Sequence, residues 1–233
     1  FLALSEEDPS SLLGKTYIHN DSDVIKLFSD DSDVVTYESE NTDVNIVNEI
    51  SLNTGVYPSE KSLYISQHRG REKALFDKLN IPCAPYEMIN NLDDLKSAVY
   101  KIGLPAILKT ATDGYDGKGQ FLINSESQLL EAWNSMSGSE SILEGFVKFK
   151  RELSLIAVRG VDGNLEYYPL VENSHYEGIL RLTIAPANNI NKTLQKKAED
   201  YMSLILKEIN HVGVLTIELF ETEDNLIVNE MAP

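Results

Sequence analysis

Residues 108–120 read LKTATDGYDGKGQ. The apolar stretch Ala106-Ile107-Leu108 runs into Lys109, and Gly114, Gly117 and Gly119 then surround Asp116 and Lys118. Gln120 leads on into Phe121-Leu122-Ile123. Two short apolar runs flanking a glycine-rich stretch predict strand, loop, strand. Glycines without a Cβ let backbone N–H groups turn toward a phosphate, and Lys118 adds a positive charge. The segment is neither of the two familiar nucleotide loops. G-x-x-x-x-G-K-[ST] is absent, and no G-x-G-x-x-G opens a helix, because Gln120 enters a strand. On these residues alone a phosphate cradle and a plain glycine-rich turn both stay open.

Around this hairpin the spacing predicts a small unit of two helices backing an antiparallel sheet. Leu92–Tyr100 is amphipathic with Asp93 and Asp94 in its first turn, Ser125 caps a second helix to Trp133, and Ser141–Glu144 is a further strand. Toward the N-terminus, helices over Ser22–Phe28 and Val44–Asn53 alternate with a strand at 34–37, an α/β pattern. A helix from near Gln67 carries Ala74, Leu75 and Leu79 at helical spacing and ends at Asn80-Ile81-Pro82. Pro82 and Pro85 mark a domain boundary. Beyond residue 150 the texture is β-rich. LSLIAVRG and LEYYPLVEN are joined by Val161-Asp162-Gly163-Asn164, a hairpin signal. Thr193–Ile209 reads as a helix with Thr193 as N-cap, and strands over Val212–Phe220 and Leu226–Asn229 follow.

Lys109 stands where an ammonium can meet a phosphate as a point charge. Glu144 and Glu152 have the chemistry to accept hydrogen bonds from ribose hydroxyls, although each reads as an ordinary surface acid in isolation. Glu218 in TIELF and Glu230 in VNEMAP differ, because both lie inside apolar strands, where an unpaired carboxylate is costly to bury. With Asn229 they form an oxygen-rich set suited to Mg2+ bridging nucleotide phosphates. His175, between Asn173 and Tyr176, reads as a polar loop residue when taken alone.

The chain has 233 residues and a net charge of −17, from 37 acidic and 20 basic side chains. Residues 1–60 hold 13 acids against two lysines, so −11 of that charge lies there. Such a balance argues against nonspecific nucleic-acid binding, which needs clustered Lys and Arg. The single cysteine, Cys83, can form no internal disulfide and reads as a packing residue. No apolar run approaches the length of a membrane span, and FLALSEEDPS turns acidic too early for a signal peptide, so the expected compartment is the cytoplasm. The two ends read as cuts through a longer enzyme.

The order of Lys109, glycine loop, strand-end Glu144 and paired strand acids resembles the ATP-grasp superfamily. The words GYDGKGQ, RELSL, YPLVENSHYEGIL, GVLTIELF and VNEMAP resemble its 5-(carboxyamino)imidazole ribonucleotide synthase (PurK) family, with matches from VTYESEN at Val35 to Pro233. The resemblance implies an ATP-grasp fold, α/β and α+β, truncated at both ends. Its parts would be a Rossmann-like portion over 1–82, a small central lid over 83–146 and a larger domain of mixed β-structure over 147–233. It implies ATP-dependent carboxylation of 5-aminoimidazole ribonucleotide by bicarbonate through carboxyphosphate, in the cytoplasm and in a homodimer, with Mg2+ or Mn2+ as the metal.

By position, Arg69 and Lys109 would contact ATP phosphates and Gly114, Tyr115, Asp116, Gly117, Lys118, Gly119 and Gln120 would form the closing loop. Tyr115, Asp116 and Lys118 would also face the ribonucleotide. Glu144, Gly145, Phe146 and Val147 would form the adenine hinge, Glu152 would hold the ribose and His175 would lie at the nucleotide site. Glu218 and Glu230 would bind the metal, with Asn229 at the nucleotide beside them. The sequence departs from the family pattern near Ala111, where a basic residue is usual, and at Asp113, where glycine is. Other ATP-grasp ligases, such as a formate-dependent glycinamide ribonucleotide transformylase or a biotin carboxylase, share the scaffold. A noncatalytic nucleotide-binding module is the reading from a different class.

Overall fold

The computed structural model describes every residue except Leu4, Glu6, Asn20, Asp21, residues 113–118 and Glu177. Near the N-terminus, β1 (Leu2–Ala3) pairs in parallel with β2 (Tyr17–Ile18), and α1 (Ser22–Asp30), β3 (Val34–Val35), α2 (Val44–Ser51) and β4 (Gly55–Val56) follow, with β3 and β4 also parallel. Ile25, Phe28, Val47, Ile50 and Val56 close a core with Leu63 of α3 (Glu60–Ser66). Helix α3 was not foreseen. The helix expected from near Gln67 is α4 (Arg69–Lys78), which starts two residues later because Gln67 is the C-cap of α3 and the His68 ring caps α4 by accepting from the Gly70 amide.

The central unit is an antiparallel sheet of four strands with two helices on one face. It comprises β5 (Tyr86–Ile89), α5 (Leu92–Ile102), β6 (Ala106–Thr110), β7 (Gln120–Ile123), α6 (Leu129–Ser135) and β8 (Ser141–Gly145), in the order β5-β8-β6-β7. Alternation assigns the faces. Ala106 and Leu108 point into a core with Ile89, Leu95, Val99 and Ala132, while Ile107 and Lys109 point away from it. Ser125 acts as expected, in a capping box with Gln128, although one turn of 3-10 helix precedes α6.

The largest sheet runs β12-β11-β9-β13-β14, with β10 also paired to β9. Its strands are β9 (Arg151–Arg159), β10 (Leu165–Tyr167), β11 (Val171–Tyr176), β12 (Ile179–Ile184), β13 (Gly213–Glu221) and β14 (Leu226–Ala232), and α7 (Lys192–Glu208) packs against one face. β9 and β10 form the expected antiparallel pair, but the run LEYYPLVEN is two strands, since residues 168–170, with Pro169, stand between β10 and β11. The N-cap of α7 is Asn191, whose side chain accepts from the Leu194 amide. Thr193 lies inside the helix. Leu153, Leu155, Leu215, Ile217 and Leu219 bury one face of the sheet against Ala198, Met202, Ile205 and Leu206. Each of the Leu, Ile and Met side chains among these stabilises the fold by roughly 1.5–3 kcal/mol when fully buried. Leu75 and Phe76 of α4, with Ile81, share this core, which carries α4 against β14. Among the described residues no helix is long and apolar enough to cross a membrane.

Candidate active site

The period of two that sends Leu153 and Ile217 into the core sends Glu152, Ser154, Glu218 and Phe220 to the opposite face of the large sheet, where Glu152 is level with Phe220 and Ser154 with Glu218. The β13–β14 hairpin is irregular at that point. Ile217 faces Met231 and Leu219 faces Val228, so the single residue Glu218 stands opposite two, Asn229 and Glu230. This is a β-bulge, a device that re-aims side chains at functional sites. Glu218 and Asn229 are hydrogen-bonded through their side chains, and burial first, then the charge of Glu230, pushes the Glu218 carboxyl above the usual carboxylate range.

A second group of residues meets the bulge from α4 and the central sheet. Arg69 Nη1 donates to Glu230 Oε2 at 2.7 Å, and the Arg69 amide donates to the Ala111 carbonyl at 2.9 Å, which ties the start of α4 to the end of β6. Lys109 Nζ donates to Glu144 Oε2 at 2.8 Å, a diagonal pair, since Ile107 is the residue opposite Glu144. Lys73 Nζ lies 3.4 Å from Glu144 Oε1. Burial alone would raise the Glu144 carboxyl, but the charges of Lys109 and Lys73 outweigh it and bring it down to about 2. Glu144 is therefore a buried, ionised group held between two lysines and not the surface acid that its isolated reading allowed.

Farther along the same face, His175 Nδ1 and Glu152 Oε2 stand 2.5 Å apart, and Asn173 donates to Ser154 Oγ at 2.6 Å. Glu152, Asn173 and His175 border a recess of about 420 Å3 that also takes in Phe149 and Leu182. The Phe149 ring stacks on Phe220, with centroids 4.7 Å apart. The hinge candidates Gly145, Phe146 and Val147 follow Glu144 at the end of β8. The Gly145 amide is bonded to the Pro85 carbonyl, and the Phe146 side chain is exposed.

The glycine stretch joins the adjacent antiparallel strands β6 and β7, in which Lys109 is opposite Gln120. Gly119 is required there. Its φ is +69°, and a Cβ would come within 2.7 Å of Thr110 Oγ1. Gly114, Tyr115, Asp116, Gly117 and Lys118 lie outside the described residues, as does Asp113. Cys83 is half-buried against the large core, and burial pushes its thiol up to about 11, as befits a packing residue.

Of the expected site residues, Arg69, Lys109, Glu144, Glu218, Asn229 and Glu230 are brought together between the two sheets by direct contacts and through Lys73; Arg69 and Glu230 line an open cleft there, and Glu152 and His175 lie farther along the same face. Sequence reasoning missed Glu72 and Lys73, both buried beneath the cleft. Their only signal is that positions 69, 72, 73 and 76 share one helical face and that Phe76 is apolar. The donor set at the bulge suits a hard divalent cation, with two carboxylates and an amide oxygen. Among the described residues no three His, Cys, Asp or Glu side chains gather as a self-sufficient cage. A Mg2+ or Mn2+ here would complete its shell with phosphate oxygens and water, the usual arrangement for Mg2+.

The N5-carboxyaminoimidazole ribonucleotide synthase of Pseudomonas aeruginosa is 40% identical over 215 residues, which is 92% of this chain and 59% of that protein. The crystal structure of N5-carboxyaminoimidazole ribonucleotide synthetase from Thermus thermophilus superposes with a TM-score of 0.90 at 40% identity, covering 100% of this chain and 64% of that one. An ADP complex of another such synthetase gives 0.90 at 34% identity, covering 100% and 62%. The chain thus spans just under three fifths of the curated synthases of Pseudomonas aeruginosa and Bacillus subtilis that it matches. The family model described as the ATP-grasp domain matches residues 74–233, and the chain belongs to the ATP-grasp family.

Proposed function

We propose that this chain forms the ATP-binding and phosphoryl-transfer part of an enzyme that carboxylates 5-aminoimidazole ribonucleotide with bicarbonate. The products would be 5-(carboxyamino)imidazole ribonucleotide, ADP and phosphate, in the cytoplasm and in a homodimer. The observation that carries the reading is the convergence of Arg69 and Lys109 with the bulged Asn229-Glu230 pair and Glu218 between the two sheets. Domains over 1–82, 83–146 and 147–233 are the matching division.

Bicarbonate is a poor electrophile, because resonance and negative charge resist attack by a weakly nucleophilic aromatic amine. Its oxygen attacks the γ-phosphorus of ATP, the bond to the ADP oxygen breaks, and carboxyphosphate forms. The amine then takes the carboxyl carbon, directly or as released CO2, and phosphate leaves. Lys109 and Arg69 offset charge on the phosphates, as expected where positioning and electrostatics dominate. Glu218 and Glu230, with Asn229 beside them, would hold Mg2+, which when bound would offset negative charge on the phosphoryl group during transfer. Glu152 binds the ribose hydroxyls with His175 orienting its carboxylate, and residues 144–147 read the adenine edge. By the family resemblance, residues 114–120 would be the loop that keeps water from the labile intermediate, with Tyr115, Asp116 and Lys118 toward the ribonucleotide.

The test is phosphate release from ATP with bicarbonate and Mg2+, with and without 5-aminoimidazole ribonucleotide. Strong stimulation by the ribonucleotide is expected. Stimulation by glycinamide ribonucleotide plus formate instead would move the assignment to another ATP-grasp ligase.

A further inference from the structure

We propose that Glu72 and Lys73 are positioning residues that lock the Asn229-Glu230 bulge in register, so that the carboxylates at the cleft are held by helix α4. The proposal rests on the reading of that cleft as a metal–nucleotide site. The two side chains grip β14 on either side of Glu230. Lys73 Nζ donates to the Asn229 carbonyl at 2.8 Å, and Glu72 Oε1 accepts from the Met231 amide at 2.9 Å. Arg69, one turn earlier on the same helical face, holds the Glu230 carboxylate itself at 2.7 Å. Three consecutive residues of the strand are thus fixed by three side chains of one helix.

A bulge interrupts the ladder and leaves backbone groups in need of partners. The Met231 N–H has one proton to donate, and it is spent on Glu72. Glu72 and Lys73 are 3% and 1% exposed, so their groups have no recourse to water. Glu72 borders the recess that Arg69 and Glu230 line, and Leu75 and Phe76 of the same helix anchor α4 in the large core. Lys73 also approaches Glu144 to 3.4 Å, which joins the bulge to the end of β8. Supports of this kind orient the groups that meet a metal, and their loss typically lowers metal affinity by about 10–100-fold.

The experiment compares the whole chain with Glu72→Ala, Glu72→Gln, Lys73→Met and Lys73→Arg. Mn2+ affinity in the presence of ADP is read by electron paramagnetic resonance of the free ion, and deuterium exchange of the Met231 amide is read by NMR. Glu72→Ala and Lys73→Met are expected to weaken Mn2+ by on the order of tenfold or more, and Glu72→Ala to speed Met231 exchange. Glu72→Gln, whose amide oxygen still accepts, and Lys73→Arg, which still donates, are expected to recover most of both. Folded Glu72→Ala or Lys73→Met protein with the parent's Mn2+ affinity overturns the proposal, and so does Glu72→Gln that loses as much as Glu72→Ala. If the parent binds no ADP, the nucleotide reading falls by itself. The clamp is then decided by Met231 exchange, and unchanged protection in Glu72→Ala overturns it.

Discussion

Lys109 reaches diagonally across two antiparallel strands to Glu144, with Nζ 2.8 Å from Oε2, while Lys73 approaches the other oxygen of the same carboxylate at 3.4 Å. One buried acid thus neutralises two lysines of unequal exposure. Lys109 is the more exposed and can turn to a phosphate, and Glu144 keeps Lys73 when it does. Lys109→Ala is therefore expected to lower ATP turnover by on the order of 100-fold or more. Steady-state kinetics with Mg2+ and bicarbonate check it, and a wild-type rate would remove Lys109 from the site.

The depressed Glu144 carboxyl sets a pH dependence. Its folded value of about 2 lies below the ordinary 4.5, so its stabilisation is fully present above 4.5 and is lost as pH falls toward 2. Glu144→Gln cannot titrate. Acid unfolding followed by near-ultraviolet circular dichroism should show the parent losing more stability than Glu144→Gln between pH 4.5 and 2. Equal losses would contradict the ion pairs.

Glu218 faces the opposite balance. Burial and the neighbouring Glu230 raise its carboxyl, so the charged form strains the fold when no cation is bound. Glu218→Gln is expected to raise the melting temperature in the presence of a chelator while lowering Mg2+-dependent turnover by on the order of 100-fold. Calorimetry and kinetics on the same preparation test both halves of that trade.

Gly119→Ala should destabilise the β6–β7 hairpin by about 1–3 kcal/mol, because alanine resists a φ of +69° and its Cβ meets Thr110 Oγ1. Adding Thr110→Ala would relieve the contact and leave the backbone strain. Urea unfolding of the single and double variants separates the two contributions.

In α7, Ile205→Ala should cost about 2–5 kcal/mol, since Ile205 is fully buried in the large core. Leu204→Ala, half exposed next to it, should cost far less. Thermal denaturation of the pair measures how firmly α7 backs β9 and β13.

What could be read from the sequence followed from strong local patterns. The runs around Lys109 have the alternation of strands, and Glu218 and Glu230 betray themselves as charges set among Ile, Leu and Val. The spacing of Leu194, Ala198, Met202 and Leu206 foretells α7, although its cap fell two residues away, since Asn191 and Thr193 offer the same chemistry. Strand β12 escaped notice because its residues, Ile179–Ile184, are mostly exposed and show no clean alternation of burial. Glu72 and Lys73 escaped for the opposite reason. Adjacent opposite charges on a helix normally mark its wet face, and only the tertiary packing of α4 on β14 turns them inward.

The irregularity opposite Glu218 gives β14 an unusual sensitivity to length. Deleting one residue between Val228 and Met231 would let the hairpin zip up one-to-one, as ordinary antiparallel strands do. The strand would then be a better strand, yet Asn229 and Glu230 could no longer both stand beside Glu218. Substitutions along this hairpin can be absorbed one side chain at a time, but a change in its residue count would alter the chemistry of the cleft at once.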